Sequence, residues 1–134
     1  MSFREKSCWL MAAVMLLSAV FYAGSALPYP GSPVMETVVP YILLVVILSV
    51  AVQALLAIRS PLDARAPRDE RERLIASKSG HWAGIVAVVG ILLSGWSYIV
   101  EPDGNVLFHH AMLTLIVAQL AQYLLEIVFL RLSF

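Results

Sequence analysis

The sequence predicts an all-α membrane protein with four transmembrane helices. Three observations support this prediction: hydrophobic residues make up 60% of the 134-residue chain, charged residues make up only 13%, and the apolar residues lie in four long runs. An ordinary soluble domain is roughly 45–50% apolar and about 25% charged. We therefore expect lipid to surround most of the chain, which forms one domain over residues 1–134.

Each apolar run is long enough to cross a bilayer, because about 20 helical residues span a hydrocarbon core of about 30 Å. The runs cover residues 8–27, 35–58, 81–100 and 107–130. Short connections, LPYPGSP at 27–33 and EPDGN at 101–105, separate the first run from the second and the third from the fourth. Such turn-rich connections predict two antiparallel helical hairpins.

All nine basic residues fall on one side of this arrangement. They are Arg4, Lys6, Arg59, Arg65, Arg68, Arg71, Arg73, Lys78 and Arg131. Lysine and arginine near the ends of a span resist translocation, whereas acidic residues count for little. The distribution therefore predicts that both termini and the charged loop 59–80 are cytoplasmic.

The first run has a second interpretation. Arg4 and Lys6, followed by an apolar run that ends in AGSALP at 23–28, also resemble a secretory signal with small residues before a cleavage point. The run is longer than the roughly 7–15 apolar residues of such a signal, which favours a retained helix. Cleavage would leave three spans with the same orientation, so topology leaves both alternatives open.

Net charge and cysteine content exclude several classes of function. A formal net charge of zero provides no global field that attracts nucleic acid or an acidic substrate. Cys8 is the only cysteine, which excludes an intramolecular disulfide and a CxxC redox pair, and we interpret it as a small apolar residue near a helix start. No nucleophile–base pair or phosphate-binding loop supports catalysis. We therefore expect a non-enzymatic protein without a cofactor.

The segment RDERERLIASKSG at 68–80 predicts the start of a helix. Asp69 is a candidate N-cap, and Glu72, three residues later, completes the spacing of a capping box. We expect this helix to run directly into the third span, with Leu74 and Ile75 at the membrane surface. The side chain of Lys78 should extend toward the lipid headgroups.

The DERER sequence at 69–73, followed by an apolar helix, resembles small bacterial membrane-protein families of unknown function that contain such a segment. The resemblance covers only the segment 68–80. It implies a multi-pass protein of the bacterial inner membrane, and it implies no activity or site residue.

The charges of this segment have three interpretations: topology determinants at a solvated helix start, a docking surface for a cytosolic or membrane partner, or a site for anionic lipid. The docking candidates are Asp69, Glu70, Arg71, Glu72 and Arg73. Their acidic members disfavour an anionic-lipid site, which is mainly basic. We expect a non-enzymatic protein that acts by interaction through this loop.

Polar side chains recur on one face of the fourth run. Glu126 lies five residues before Arg131, which is about 7.5 Å inward by helical rise. An ionisable group costs roughly 2.5–3.5 kcal/mol at the centre of a span, so the cost at this shallower depth is smaller. The predicted intramembrane polar site comprises Gln53, His81, Gln119, Gln122, Tyr123 and Glu126.

This polar site has two interpretations. Its members form interhelical hydrogen bonds that fix the bundle, each worth about 0.6 kcal/mol in membranes. Alternatively, Glu126 is the protonatable centre of a small oligomeric ion or proton-coupled transporter. A bundle of 134 residues encloses little volume, so transport would require a homo-oligomer.

Three residues on the opposite side are weak candidates for metal ligands, namely His109, His110 and Glu101. Histidine and carboxylate suit a divalent metal. However, neighbouring histidines on a helix point about 100° apart and do not easily chelate one ion together. We therefore expect no metal, and we place the histidines at the membrane interface.

Glycines recur along the third run. The spacing of Gly80 and Gly84, with Gly90 and Gly95 farther along, predicts that a neighbouring backbone approaches this helix closely. The neighbour is either another helix of the chain or a second copy in a homo-oligomer.

Overall fold

The computed structural model describes residues 3–26 and 33–132, which fold into five α-helices and contain no strand. The helices are α1 Phe3–Ala26, α2 Val34–Arg59, α3 Pro61–Arg65, α4 Glu70–Val100 and α5 Gly104–Arg131. Four of them, α1, α2, α4 and α5, are long and apolar enough to cross a membrane. The predicted all-α fold with four candidate spans is therefore confirmed.

The charged segment is more helical than a loop over 59–80 would be. The short helix α3 lies within it, and α4 begins at Glu70 and continues into the third apolar run, as predicted. The predicted capping box is confirmed: the Glu72 backbone N donates to Asp69 Oδ1 at 2.7 Å, and the Asp69 backbone N donates to Glu72 Oε2 at 3.4 Å. Residues 27–32 of the predicted first connection lie outside the described residues.

Helices α1 and α5 form the centre of the fold. α5 packs against α4 and against α1, and α1 in turn packs against α2. Helices α1, α2 and α5 share an apolar cluster that includes Met15, Tyr22, Tyr41 and Ile116. Only 6% of the most apolar stretch of α2 is buried, compared with 39% of that of α1. Helix α2 therefore presents most of its apolar surface outward.

Small residues line the contact between α4 and α5. The buried ones on α4 are Ser79, Ala83 and Ser94. A Cβ added at Gly90 would collide with the side chain of Thr114, whereas a Cβ added at Gly84 would meet nothing within 4 Å. The close approach within the chain is therefore at Gly90. Nothing among the described residues lies within 4 Å of a Cβ at Gly84, so the approach of a second copy to this glycine stays a prediction.

The start of α4 also differs from the expected contact with the membrane surface. Leu74 is 65% exposed, as expected, but Ile75 is only 4% exposed. Side chains of consecutive helical residues point about 100° apart, so Leu74 points outward while Ile75 packs inside. Ile75 is therefore part of the protein interior.

Candidate functional site

The charged start of α4 is attached to the ends of α1 and α5. Arg71 Nη2 donates to the carbonyl oxygen of Leu130 at 3.0 Å and to that of Leu132 at 3.4 Å. Arg4 Nε lies 3.8 Å from Glu72 Oε2. The carbonyls at the end of a helix have no partner within that helix, and a cation is favourable there. Arg71 therefore stabilises the end of α5.

Three of the five predicted docking residues thus have roles within the chain: Asp69 and Glu72 form the capping box, and Arg71 bonds to α5. The side chains of Glu70 and Arg73 are exposed. Neither forms a hydrogen bond or ion pair with another described residue. Of the predicted set, the side chains of these two have no contact of this kind within the described part of the chain.

An open groove of about 600 Å³, the α4–α5 groove, lies between the start of α4 and the end of α5. Its apolar lining consists of Leu74, Ile75 and Phe129, and its charged lining of Asp69, Glu70, Arg71 and Lys78. Lys78 Nζ lies 5.1 Å from the centroid of the Phe129 ring, which is a cation–π contact. The groove therefore combines an apolar wall with charges of both signs.

A second cleft of about 340 Å³, the α1–α3–α4 cleft, lies where the starts of α1 and α4 meet α3. Its charged residues are Arg4, Asp63, Asp69 and Glu72. Carboxylates outnumber the single arginine, so this cleft favours a positively charged group.

Glu126 of α5 contacts α1 through Cys8, whose Sγ donates to Glu126 Oε2 at 3.1 Å. A small cavity beside the carboxylate is lined by Arg4, Arg68, Glu72, Ile75 and Leu130. Cys8 is buried, as its interpretation as a small apolar residue requires, but it also acts as a hydrogen-bond donor. The sequence did not predict this contact. The signal that could have indicated it is a thiol at the start of the first apolar run and a carboxylate near the end of the fourth.

Of the other members of the predicted polar site, Tyr123 packs against Cys8 beside Glu126, whereas the rest lie at separate places. Gln53 of α2 bonds to Ser7 of α1, with 3.0 Å between Gln53 Nε2 and Ser7 Oγ. His81 is exposed on α4, with its ring edge-on to that of Trp82 at a centroid distance of 6.2 Å. On α5, Gln119 bonds to Tyr123, and Gln122 Nε2 lies 4.0 Å from where a Cβ would stand on Gly80. The structure therefore distributes these side chains over several helix contacts and one outer face.

The two histidines of α5 point into different helix contacts. Tyr22 Oη lies 2.7 Å from His109 Nδ1, and the Tyr41 ring packs edge-on against Tyr22 at a centroid distance of 5.2 Å. His110 Nδ1 lies 3.0 Å from Ser97 Oγ of α4. His109 is therefore buried between α1 and α5, and its predicted position at the membrane interface stays a prediction.

Glu101, the third weak metal candidate, is exposed at the C-cap of α4. Within residues 3–26 and 33–132, no three His, Cys, Asp or Glu side chains come together in a group that could hold a metal ion. Each histidine of the predicted trio instead contacts a neighbouring hydroxyl group, Tyr22 for His109 and Ser97 for His110.

The contact between α1 and α5 is apolar near its middle. The buried side chains of Met15 and Ile116 lie between the Glu126 contact at one end and the Tyr22 contact at the other. Ser18, which is 0% exposed, donates to a carbonyl of its own helix. Polar side chains therefore do not form a continuous row along this contact that an ion or a proton could follow.

No protein-family model, curated protein or solved structure matches the chain. The resemblance of the segment 68–80 to small bacterial membrane-protein families therefore stays a prediction.

Proposed function

We propose that the chain is a non-enzymatic, multi-pass protein of the bacterial inner membrane that acts by interaction with a cytosolic or membrane partner. The four long apolar helices support insertion into a membrane. Contacts of Ser97 with His110 and of Arg71 with Leu130 join α4 to α5 at opposite ends, which supports an antiparallel hairpin. The one-sided distribution of basic residues supports cytoplasmic termini.

The orientation is tested with a thiol reagent that does not cross membranes. Single cysteines replace Arg73 and Glu101 in turn, in a Cys8→Ala background. In intact cells, Glu101→Cys should be labelled, whereas Arg73→Cys should be labelled only after the membrane is opened. Labelling of Arg73→Cys from outside would reject the orientation.

The fixed shape of the charged segment is the observation that most supports docking. The helix α3, the capping box and the contact of Arg71 with α5 hold this segment against the rest of the chain. Charges that only set orientation need no defined surface, because orientation depends on the number of basic residues. A fixed arrangement of charges is what selects one partner over another.

The α1–α3–α4 cleft is the part of this surface that best fits a partner. Asp63, Asp69 and Glu72 give it a negative charge that Arg4 only partly offsets. Leu62, next to Asp63 in α3, is 84% exposed and offers an apolar contact. We therefore propose that the partner presents a basic segment with an apolar residue.

Affinity purification in mild detergent, followed by mass measurement of the intact complex, tests this proposal. The variant Asp63→Lys reverses a charge of the cleft that has no part in the capping box. Glu101→Lys makes the same change at the other end of α4. A partner that is lost with Asp63→Lys and kept with Glu101→Lys would support docking, and a partner kept with both would reject it. Arg71 is unsuitable because it stabilises the end of α5.

A second candidate function is a small oligomeric ion or proton-coupled transporter that uses Glu126. The observation that favours it is the cavity beside Glu126, which is lined by charged residues of α1 and α4. Because Met15 and Ile116 make the middle of the α1–α5 contact apolar, a path would have to run between copies. The exposed face of α4 at Gly84 leaves room for such a copy.

Ion flux into liposomes tests the transporter. Replacing Glu126 with Gln removes the titratable group but keeps an oxygen that accepts from Cys8. Loss of flux with Glu126→Gln, together with unchanged flux for Gln53→Ala, would support this function. Flux that Glu126→Gln leaves unaltered would reject it.

A further inference from the structure

We infer that the α4–α5 groove binds a phospholipid whose headgroup is zwitterionic and has a primary amine. This inference goes beyond docking of a protein partner. It rests on the proposed function only in that the start of α4 lies at the cytoplasmic surface of the membrane.

The position and lining of the groove suit a lipid. Its wall is mainly apolar and includes Leu74, which is 65% exposed, and Phe129. It lies where the charged start of α4 gives way to the apolar part of the same helix, with the half-exposed Trp82 just beyond. Tryptophan at such a boundary is typical of the headgroup level of a bilayer. The groove can therefore contact a headgroup at one end and an acyl chain at the other.

The charges of the groove are ordered along its length. Asp69 and Glu70 stand at the end farther from the apolar part of α4, and Lys78 comes eight residues after Glu70. That separation is about 12 Å along the helix. A lysine side chain extends back toward the headgroups, which shortens the distance, and the Phe129 ring lies under the Lys78 ammonium. Lys78 is therefore on the membrane side and the two carboxylates are on the water side, where the Arg71 guanidinium bonds to the carbonyls at the end of α5.

A zwitterionic phospholipid has the matching order of charge. Its phosphate is attached next to the glycerol, and its amine is farther out toward water. The phosphate would meet Lys78, while the amine would donate to the Glu70 carboxylate. Hydrogen bonds between ionised groups are shorter and roughly twice as strong as neutral ones.

The carboxylates also determine which lipid is preferred. An anionic headgroup without an amine would be repelled by Asp69 and Glu70, which is why these acids disfavour an anionic-lipid site. A choline headgroup has no N–H group that could donate to Glu70. The groove should therefore prefer phosphatidylethanolamine over phosphatidylcholine and phosphatidylglycerol.

Native mass spectrometry of the full chain with an equimolar mixture of these three phospholipids tests the inference. We expect the wild type to retain phosphatidylethanolamine about tenfold better than the other two, the effect of one hydrogen bond to a charged group. Glu70→Gln should abolish this preference, so that the three lipids are retained about equally. Lys78→Ala should lower the retention of all three lipids. Arg73→Ala, which changes a neighbouring charge outside the groove, should retain the wild-type preference.

Three results would overturn the inference: equal retention of the three lipids by the wild type, no effect of Lys78→Ala, or a photo-crosslinker at position 74 that captures a polypeptide and no lipid. Far-UV circular dichroism of each variant excludes unfolding as the cause of a loss. Because Asp63 does not line the groove, the purification with Asp63→Lys tests the docking proposal separately.

Discussion

Tyr22 and His109 are joined by a buried hydrogen bond, with 2.7 Å between Tyr22 Oη and His109 Nδ1. Tyr22 is 0% exposed and His109 is 2% exposed. In the part of the chain that the structure describes, His109 Nε2 has no hydrogen-bond partner. Buried polar groups are normally hydrogen-bonded, so the Tyr22 hydroxyl keeps this ring from being wholly unpaired between α1 and α5.

Replacing Tyr22 with Phe should therefore destabilise the protein. The change leaves both ring nitrogens of His109 without a partner, and an unsatisfied buried group costs about 1–3 kcal/mol. Thermal unfolding in detergent, followed by circular dichroism, measures the loss. Tyr41→Phe is the matched control, because the Tyr41 ring packs against Tyr22 but its hydroxyl bonds to no described residue. Equal stability of the two variants would contradict the prediction.

Gly90→Ala should destabilise the contact between α4 and α5, whereas Gly84→Ala should not. The added methyl group at Gly90 collides with Thr114, and at Gly84 it meets nothing within 4 Å. Overpacking of this kind costs typically about 1–3 kcal/mol. Unfolding in detergent measures both variants, and Thr114→Ala should restore the stability of Gly90→Ala. If Thr114→Ala did not restore stability, the collision with Thr114 would not be the cause of the loss.

The difference between Gly84 and Gly90 shows what the sequence could not predict. Both glycines lie in one apolar run, and the length of that run was enough to predict the span. In a soluble helix, polar residues mark the outer face, but lipid is as apolar as the protein interior. The sequence therefore contains no pattern that says which glycine faces α5.

Local rules, in contrast, predicted the start of α4 correctly. The cap formed by Asp69 and Glu72 depends only on residues three apart in the chain, so the spacing was enough. The partners of Glu126 and His109 depend on how α1 is rotated against α5. For that reason Cys8 and Tyr22 were missed as partners, although both lie in a predicted span.

Asp69→Ala should fray the first turn of α4. The substitution removes the oxygen that accepts from the Glu72 backbone N, and loss of an N-cap costs about 0.5–2 kcal/mol. Hydrogen exchange of the amides of residues 70–73 should become faster. Asp69→Asn keeps an oxygen in the same place and should exchange like the wild type, because asparagine is an equally good N-cap. Unchanged exchange in Asp69→Ala would mean that other contacts hold this turn.

The hydrogen bond between Ser7 and Gln53 should connect α1 to α2 with a small but measurable energy. The distance from Gln53 Nε2 to Ser7 Oγ is 3.0 Å, and both side chains are partly buried. Such bonds contribute on average about 0.6 kcal/mol in membranes. A double-mutant cycle of Ser7→Ala and Gln53→Ala, measured by unfolding in detergent, isolates the pair from the effect of each change alone. Additive effects of the two substitutions would contradict the bond.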